Sequence, residues 1–250
     1  MNLKYYRFDE VTVNFDKKRV PLSSAQRSNR GGEFPYYGAQ GVIDHIDDYI
    51  FDGEYLLIAE DGENLKSKKQ NIAQIATGKF WVNNHAHIVT GNEKCDTRYL
   101  CYLINSMDLS GYITGSAQPK LSQANLNAVQ LSMPTLEQQN RIVEYLVAID
   151  NKIALNELIN NNLEQQAQDI FDNMFPDISS GSHTIGEYIS PKRGKGLLSK
   201  NAICGSVPVI AGGLEPSTYH NVANTQSPVL AISASGANAG YVSLWNIPIW

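Results

Sequence analysis

LEQQNRIVEYLVAIDNKIALNELINNNLEQQAQDIFDNMF, Leu136–Phe175, has the apolar pattern of one long helix. Ile142, Leu146, Ile149, Ile153, Asn156, Asn160, Leu163, Ala167, Ile170 and Met174 follow one another at alternating spacings of four and three. That is the 3.5-residue period of a coiled-coil seam. Thr135 and Gln138 have the form of a capping box, which predicts the start. Phe175-Pro176 predicts the end. At 1.5 Å per residue such a helix is roughly 60 Å long. A helix of this length with an apolar seam needs a second long helix to cover it, and the sequence holds no second one. Asn156 and Asn160 fall at the middle of the seam, where amides pairing across helices fix register at some cost in stability.

Working outward, residues 1–134 have the pattern of a mixed α/β unit. YLLIAEDGEN (Tyr55–Asn64) is a short apolar strand running into an Asp-Gly turn. KFWVNNHAHIVTG (Lys79–Gly91) is a second strand region. The spacing of Tyr99, Leu100, Leu103, Ile104 and Met107 predicts a helix with Thr97 as its N-cap. TGSAQPKLSQANLNAVQLSMP then predicts a polar loop, a short helix or strand, and a stop at Pro134.

Beyond Pro176 the first part recurs. FPYYGAQG (Phe34–Gly41) pairs with VPVIAGGL (Val207–Leu214), and YLLIAEDGEN with VLAISASGAN (Val229–Asn238). Phe80-Trp81 pairs with Ile249-Trp250, and FDEV (Phe8–Val11) with IGEY (Ile185–Tyr188). Four matches at nearly one shift indicate a duplicated fold with loop insertions. The expectation is an α+β protein: a globular domain at 1–134, a spacer helix at 135–176, and an incomplete copy of the domain at 177–250.

Composition narrows the function classes. The hydrophobic share of 42% suffices for a core, and apolar runs such as Tyr55–Ala59 are too short to span a bilayer. With no basic, apolar leader at Met1, the expected location is the cytoplasm. Cys95, Cys101 and Cys204 lack metal spacing and predict neither a disulfide framework nor a zinc site. No phosphate-binding glycine motif occurs. His85 and His87 in NNHAH point the same way in a strand, yet no acid or thiol is near in sequence, so no metal is expected. The expectation is a binding protein with no catalytic residue and no cofactor of its own.

Charge is uneven within a net −5. Residues 1–30 carry seven Lys/Arg against three acids, residues 34–63 eight acids and no Lys or Arg, and residues 64–100 six against two. Basic segments in an acidic whole suit a protein that meets an anion on one face, and equally suit solvated loops.

The order domain, long helix, repeated domain resembles the specificity subunit of type I restriction–modification systems. The resemblance rests on FPYYGAQGVIDHIDDYIFDGEYLLIAEDG (Phe34–Gly62), WVNNHAHIV (Trp81–Val89), GSAQPKLSQANLNAVQLSMPTLEQQNRIV (Gly115–Val143) and IDNKIALNELINNNLEQQAQDIF (Ile149–Phe171). It implies two target-recognition domains that each read half of a bipartite site on double-stranded DNA. Two antiparallel helices would separate them and dock methyltransferase subunits, with restriction subunits joining through the complex. S-adenosylmethionine, ATP and Mg would belong to those partners. A single rod leaves room for a homodimer paired through the seam, or for a regulatory fragment that sequesters methyltransferase subunits.

Candidate DNA contacts are Arg27, Asn29, Arg30, Lys66, Lys68, Lys69, Gln70, Asn71, Gln118 and Lys120. Arg, Asn and Gln can read base edges, while Lys mainly holds phosphates. Tyr36 and Tyr37 suit a core or rim better than a DNA contact. The acidic stretch 34–63 is expected to face away from the phosphates or toward a partner. Glu137, Gln138, Gln139 and the outer face of the rod are the expected docking surface for the methyltransferase.

Overall fold

A computed structural model of the 250-residue chain describes residues 3–116, 118–176 and 183–250. The expected start of the second domain at 177 lies outside the described residues. The chain divides into two units, 1–168 and 169–250, with the division inside the long helix. Among its described residues the first unit contains eight strands: β1 Lys4–Arg7, β2 Thr12–Asn14, β3 Gly31–Gly38, β4 Gly41–Ile46, β5 Phe51–Ala59, β6 Ala73–Val82, β7 Ala86–Gly91 and β8 Gln130–Met133. Its helices are α1 Ser24–Ser28, α2 Asn64–Ser67, α3 Thr97–Ser106, α4 Gln123–Asn127 and the start of α5, Leu136–Met174.

Six strands form one sheet in the order β2-β7-β5-β6-β3-β4, antiparallel except where β3 lies parallel to β6 at Tyr36↔Trp81 and Tyr37↔Val82. Side chains alternate across a strand, so β5 serves two cores. Leu56 and Ile58 enter the larger one, with Leu100 and Ile104 of α3 and Leu126, Leu131 and Met133. Phe51 and Leu57 enter an aromatic cluster with Phe80, Tyr37 and Tyr55. A third cluster joins Tyr36, Ile46 and Trp81. Tyr36 is fully buried, and its hydroxyl accepts from Leu22 N at 2.9 Å, so this tyrosine belongs to the core.

The strand region expected at 79–91 is two strands on opposite sides of β5. Residues 83–85 link them and can span only about 14 Å. The ladder must therefore bend, and Gly53 and Gly78, opposed across it at φ +135° and +78°, provide the backbone freedom. α3 begins one residue earlier than its composition suggested: Asp96 Oδ1 caps Tyr99 N at 2.7 Å, while Thr97 Oγ1 accepts from Gly91 N. The segment after the polar loop forms both a helix, α4, and a strand, β8.

β1 pairs antiparallel with β8, Lys4↔Met133 to Arg7↔Gln130, which sets the chain's start beside the root of α5. α5 is 39 residues long. The Thr135–Gln138 capping box does not close, because Gln138 Oε1 is buried without a hydrogen-bond partner among the described residues. Gln139 supplies the fastening. It is fully buried, its Oε1 accepts from Asp96 N at 3.0 Å, and its Nε2 donates to Lys94 O and Pro134 O. Ile142 and Val143 still pack on the larger core, and Tyr102 Oη donates to Asp150 Oδ2. From Ala148 onward every helical residue is exposed, including the seam residues Ile149, Ile153, Leu163, Ile170 and Met174.

The second unit contains β9 Val207–Val209, β10 Thr218–His220, β11 Val229–Ile232 and β12 Val242–Trp245. β9 and β10 pair Val209↔Thr218, Pro208↔Tyr219 and Val207↔His220, as β3 and β4 pair Tyr36↔Asp44, Pro35↔His45 and Phe34↔Ile46. β11 and β12 run Val229↔Trp245 to Ile232↔Val242, as β5 and β6 run Tyr55↔Ala76 to Ile58↔Ala73. Trp250 bonds through its backbone to Pro208 and Ile210, repeating the β3–β6 contact at Trp81. Its indole donates to Lys195 O at 3.1 Å, as that of Trp81 donates to Val20 O at 2.6 Å. The duplication read from the sequence is thus a duplication of ladder register. It also sets RGKG (Arg193–Gly196) in the place of the basic run around Arg19.

Candidate nucleic-acid interface

The candidate contacts collect at two places in the first unit. At one, Arg27 and Arg30 leave α1 and its C-terminal turn to lie over aromatic rings of the third cluster. Arg27 sits over Tyr36 at 5.1 Å and Arg30 over Trp81 at 5.0 Å. Arg27 also donates to Asp44 at 2.9 Å and Leu22 O at 2.8 Å, and Arg30 to Asp47 at 2.8 Å. Asn29 is exposed beside them, its amide donating to Ala25 O.

At the other, residues 62–71 and 108–121 meet. Lys66 Nζ reaches the carbonyls of Gly115 and Ser116 at 3.0 and 3.1 Å. Lys68 pairs with Asp108 at 2.9 Å, which holds that carboxyl down at about 2. The Asn64 side chain bonds Gln70 N and O and so shapes the 64–71 turn. Lys69, Gln70, Asn71 and Gln118 are exposed, and Lys69 has no ion-pair partner among the described residues. Lys120 is bridged to both Asp61 and Thr114, and its ammonium lies 3.2 Å from Glu60 Oε1.

The acidic stretch does not face away from these cations. Of its eight acids, Asp44, Asp47, Asp48, Glu54, Glu60 and Asp61 are paired with Arg27, Arg30, Arg98, Arg19, Lys120 or His85. The basic and acidic segments neutralise one another by folding together. The two histidines separate: His85 Nδ1 lies 2.7 Å from Asp61, and buried His87 Nδ1 lies 2.6 Å from Asp16. Carboxylates remote in sequence supply partners that the local pattern did not show. Among the described residues no group of three acidic, histidine or cysteine side chains could hold a metal ion.

Sequence reasoning passed over Asp16, Arg19 and Glu60. Arg19 donates to Glu60 at 2.9 Å and to Ala86 O at 2.7 Å. Burial alone would raise the Glu60 carboxyl, but bonding to Arg19 and the nearby His87 and Lys120 hold it below its ordinary value. Asp16 follows the same logic, with burial outweighed by His87, Ile88 N and Arg19. Apart from Asp16 with Arg19, an i,i+3 pair, these contacts join residues 41 to 72 apart, and no local period encodes them. Cys95 and Cys101 are buried, their thiols pushed up to about 12 and about 11 by desolvation, while Cys204 is exposed.

Of the three docking candidates, Glu137 is exposed and paired with Arg141, and Gln138 is half-buried. Gln139 is committed inward and is withdrawn from the docking surface.

An α+β unit whose ladders recur in the chain before and after a long helix, with cations held on its loops, defines a recognition protein. The type I restriction modification DNA specificity domain matches residues 2–165, and the chain belongs to that family. This is a non-catalytic, DNA-recognising class.

A Haemophilus influenzae protein named as type I restriction enzyme specificity subunit S.HindORF215P is 38% identical over 141 residues, which cover 56% of this chain and 36% of the relative. The EcoprrI specificity subunit of Escherichia coli is 26% identical over 125 residues, 50% of this chain and 30% of its own length. The aligned part thus spans about a third of each relative. A crystal structure of the S subunit of a Mycoplasma genitalium type I restriction-modification system shares the fold. Its TM-score is 0.66 at 16% identity, covering 100% of this chain and 70% of that one. No helix among the described residues is long and apolar enough to cross a membrane.

Proposed function

We propose that this chain directs a type I restriction–modification complex to its DNA sequence, each unit reading one half of a bipartite site on the duplex. The observation that carries the proposal is the repeated ladder register on the two sides of α5: two like readers suit a two-part site. Methyltransferase and restriction subunits supply the chemistry, and S-adenosylmethionine, ATP and Mg belong to them. Base reading falls to Arg27, Asn29, Arg30, Gln70, Asn71 and Gln118, and phosphate contact to Lys66, Lys68, Lys69 and Lys120. Glu137, Gln138 and the outer face of α5 dock the methyltransferase. The exposed seam pairs with a second long helix, and two copies of this chain meeting through it give an isologous pair. The cytoplasm is the compartment in which such a complex meets DNA.

Sequencing of modified bases in host DNA, with and without the gene, tests the proposal. The expected outcome is one bipartite adenine-methylation motif that disappears on deletion and returns on complementation. An unchanged methylome, with the chain co-purifying with methyltransferase subunits, would instead establish the sequestering role.

A further inference from the structure

The stem of the 114–121 loop is fixed more firmly than a surface loop requires. Lys120 N donates to Thr114 O at 2.8 Å, and Thr114 N donates to Lys120 O at 2.9 Å. Leu121 N donates to Glu60 O at 2.8 Å, and Gly62 N to Pro119 O at 3.1 Å. Beneath the stem lies a charged cluster. Glu60 Oε1 faces Lys120 Nζ at 3.2 Å, and Glu60 Oε2 takes Arg19 Nη1 at 2.9 Å and stands 3.8 Å from His87 Nδ1. Arg19 also lies 3.4 Å from Asp16 Oδ2, which His87 Nδ1 meets at 2.6 Å. His87 Nε2 faces Leu121 O at 2.8 Å. Each ring nitrogen thus faces an oxygen atom.

This network opens to solvent at one member. That opening is Lys120, whose side chain is 52% exposed against 14% or less for Arg19, Glu60, Asp16 and His87. A buried charge network that holds one partly exposed cation on a rigid stem is suited to present that cation to a backbone phosphate. We propose that Glu60 is a positioning residue: it holds Lys120 at a fixed point for a DNA phosphate and fastens the loop that carries it. The inference rests on the DNA-recognition reading above and assigns a role to a carboxylate within it.

The sign of one substitution separates positioning from bulk electrostatics. Glu60→Gln removes a negative charge beside the site, which long-range attraction alone would turn into tighter binding. Positioning predicts the reverse: the full chain's affinity for a random-sequence DNA duplex falls about threefold, the scale of one partly exposed ion pair. In a Lys120→Gln background the same change has no further effect, which a merely structural role would not reproduce. Glu60→Asp keeps the charge but withdraws it by one methylene, and is expected to weaken binding too; it stands in if the glutamine variant fails to fold. Binding that both Glu60 variants leave intact or tighten, or a loss that persists in the Lys120→Gln background, would overturn the positioning role alone. Failure of the wild-type chain to bind any duplex would overturn the DNA reading with it.

Discussion

Gly32 and Gly205 occupy one and the same place in the two copies of the fold. A Cβ on Gly32 would stand 2.4 Å from Ile46 O and 2.5 Å from Asp47 Cα. On Gly205 it would stand 2.3 Å from His220 O and 2.4 Å from Asn221 Cα. Gly32 lies at the start of β3 and Gly205 just before β9, each where the chain passes against the backbone at the end of the partner strand. Backbone cannot give way as a side-chain tip can, so Gly32→Ala should destabilise the first unit by about 1–3 kcal/mol. Amide exchange in β9–β12 should stay as it was. Gly205→Ala should do the converse, and hydrogen exchange resolved by segment checks both.

Why such a pair escaped the sequence reading is instructive. The matches at Phe34, Tyr55 and Phe80 were legible because strands repeat their apolar residues at a period of two. The structure adds that the β5–β6 and β11–β12 ladders share one register. The rod was legible for the same reason, at a period of 3.5. Closure was not: nothing local says that residues 79–91 split around β5, or that Gly32 must pass a carbonyl. The charges were legible as blocks but not as pairs, since Arg27–Asp44 and Arg19–Glu60 form only when the sheet closes. Gln139 was misassigned because a polar residue near a helix start reads as surface until its three buried partners are in place.

Gln139 should therefore matter to folding. Its Oε1 and Nε2 satisfy Asp96 N, Lys94 O and Pro134 O inside the protein. Gln139→Ala leaves those groups unpaired and should cost about 1–3 kcal/mol by urea denaturation. Glu137→Ala, on the exposed flank, should cost less than about 0.5 kcal/mol. Equal losses would remove the distinction drawn between them.

The Asp16–His87–Arg19–Glu60 cluster should make the first unit sensitive to acid. Asp16 and Glu60 are held below their ordinary values of 3.8 and 4.5. Groups with depressed folded values contribute stability that is complete above those ordinary values and fades as pH falls through the folded ones. The unfolding midpoint of the wild type should thus exceed that of Glu60→Gln at neutral pH. The gap should close as the solution is acidified below about pH 4, in thermal melts taken across that range. A gap independent of pH would show that packing, not charge, separates the two.

Lys69 and Lys120 should differ in how they hold DNA, although both are lysines on neighbouring loops. A phosphate contact releases a condensed counterion, so losing one lowers the slope of log K against log salt by about 0.9. Lys120→Gln should lower the slope by that amount, because its ammonium is held in place by Glu60. Lys69→Gln should lower it less, since an unpaired side chain spends only part of its time on a phosphate. Fluorescence anisotropy at several salt concentrations reads both slopes, and a larger drop for Lys69 would reverse the ranking.

The seam of α5 offers the last expectation. Ile149, Ile153, Leu163 and Ile170 are each more than half exposed on the helix, an apolar stripe that water does not favour leaving uncovered. Asn156 and Asn160 interrupt it at its centre and are exposed as well. If a second long helix covers the stripe, the two amides become buried and must pair across it, which penalises every register that leaves them facing leucine or isoleucine. Replacing both by leucine removes the penalty from wrong registers along with the cost in the right one. The double variant should pair more tightly, by sedimentation equilibrium, and in more than one alignment. Cysteines placed on the seam should then cross-link at several offsets where the parent chain gives one. A single offset in both proteins would mean that the amides do not set the register.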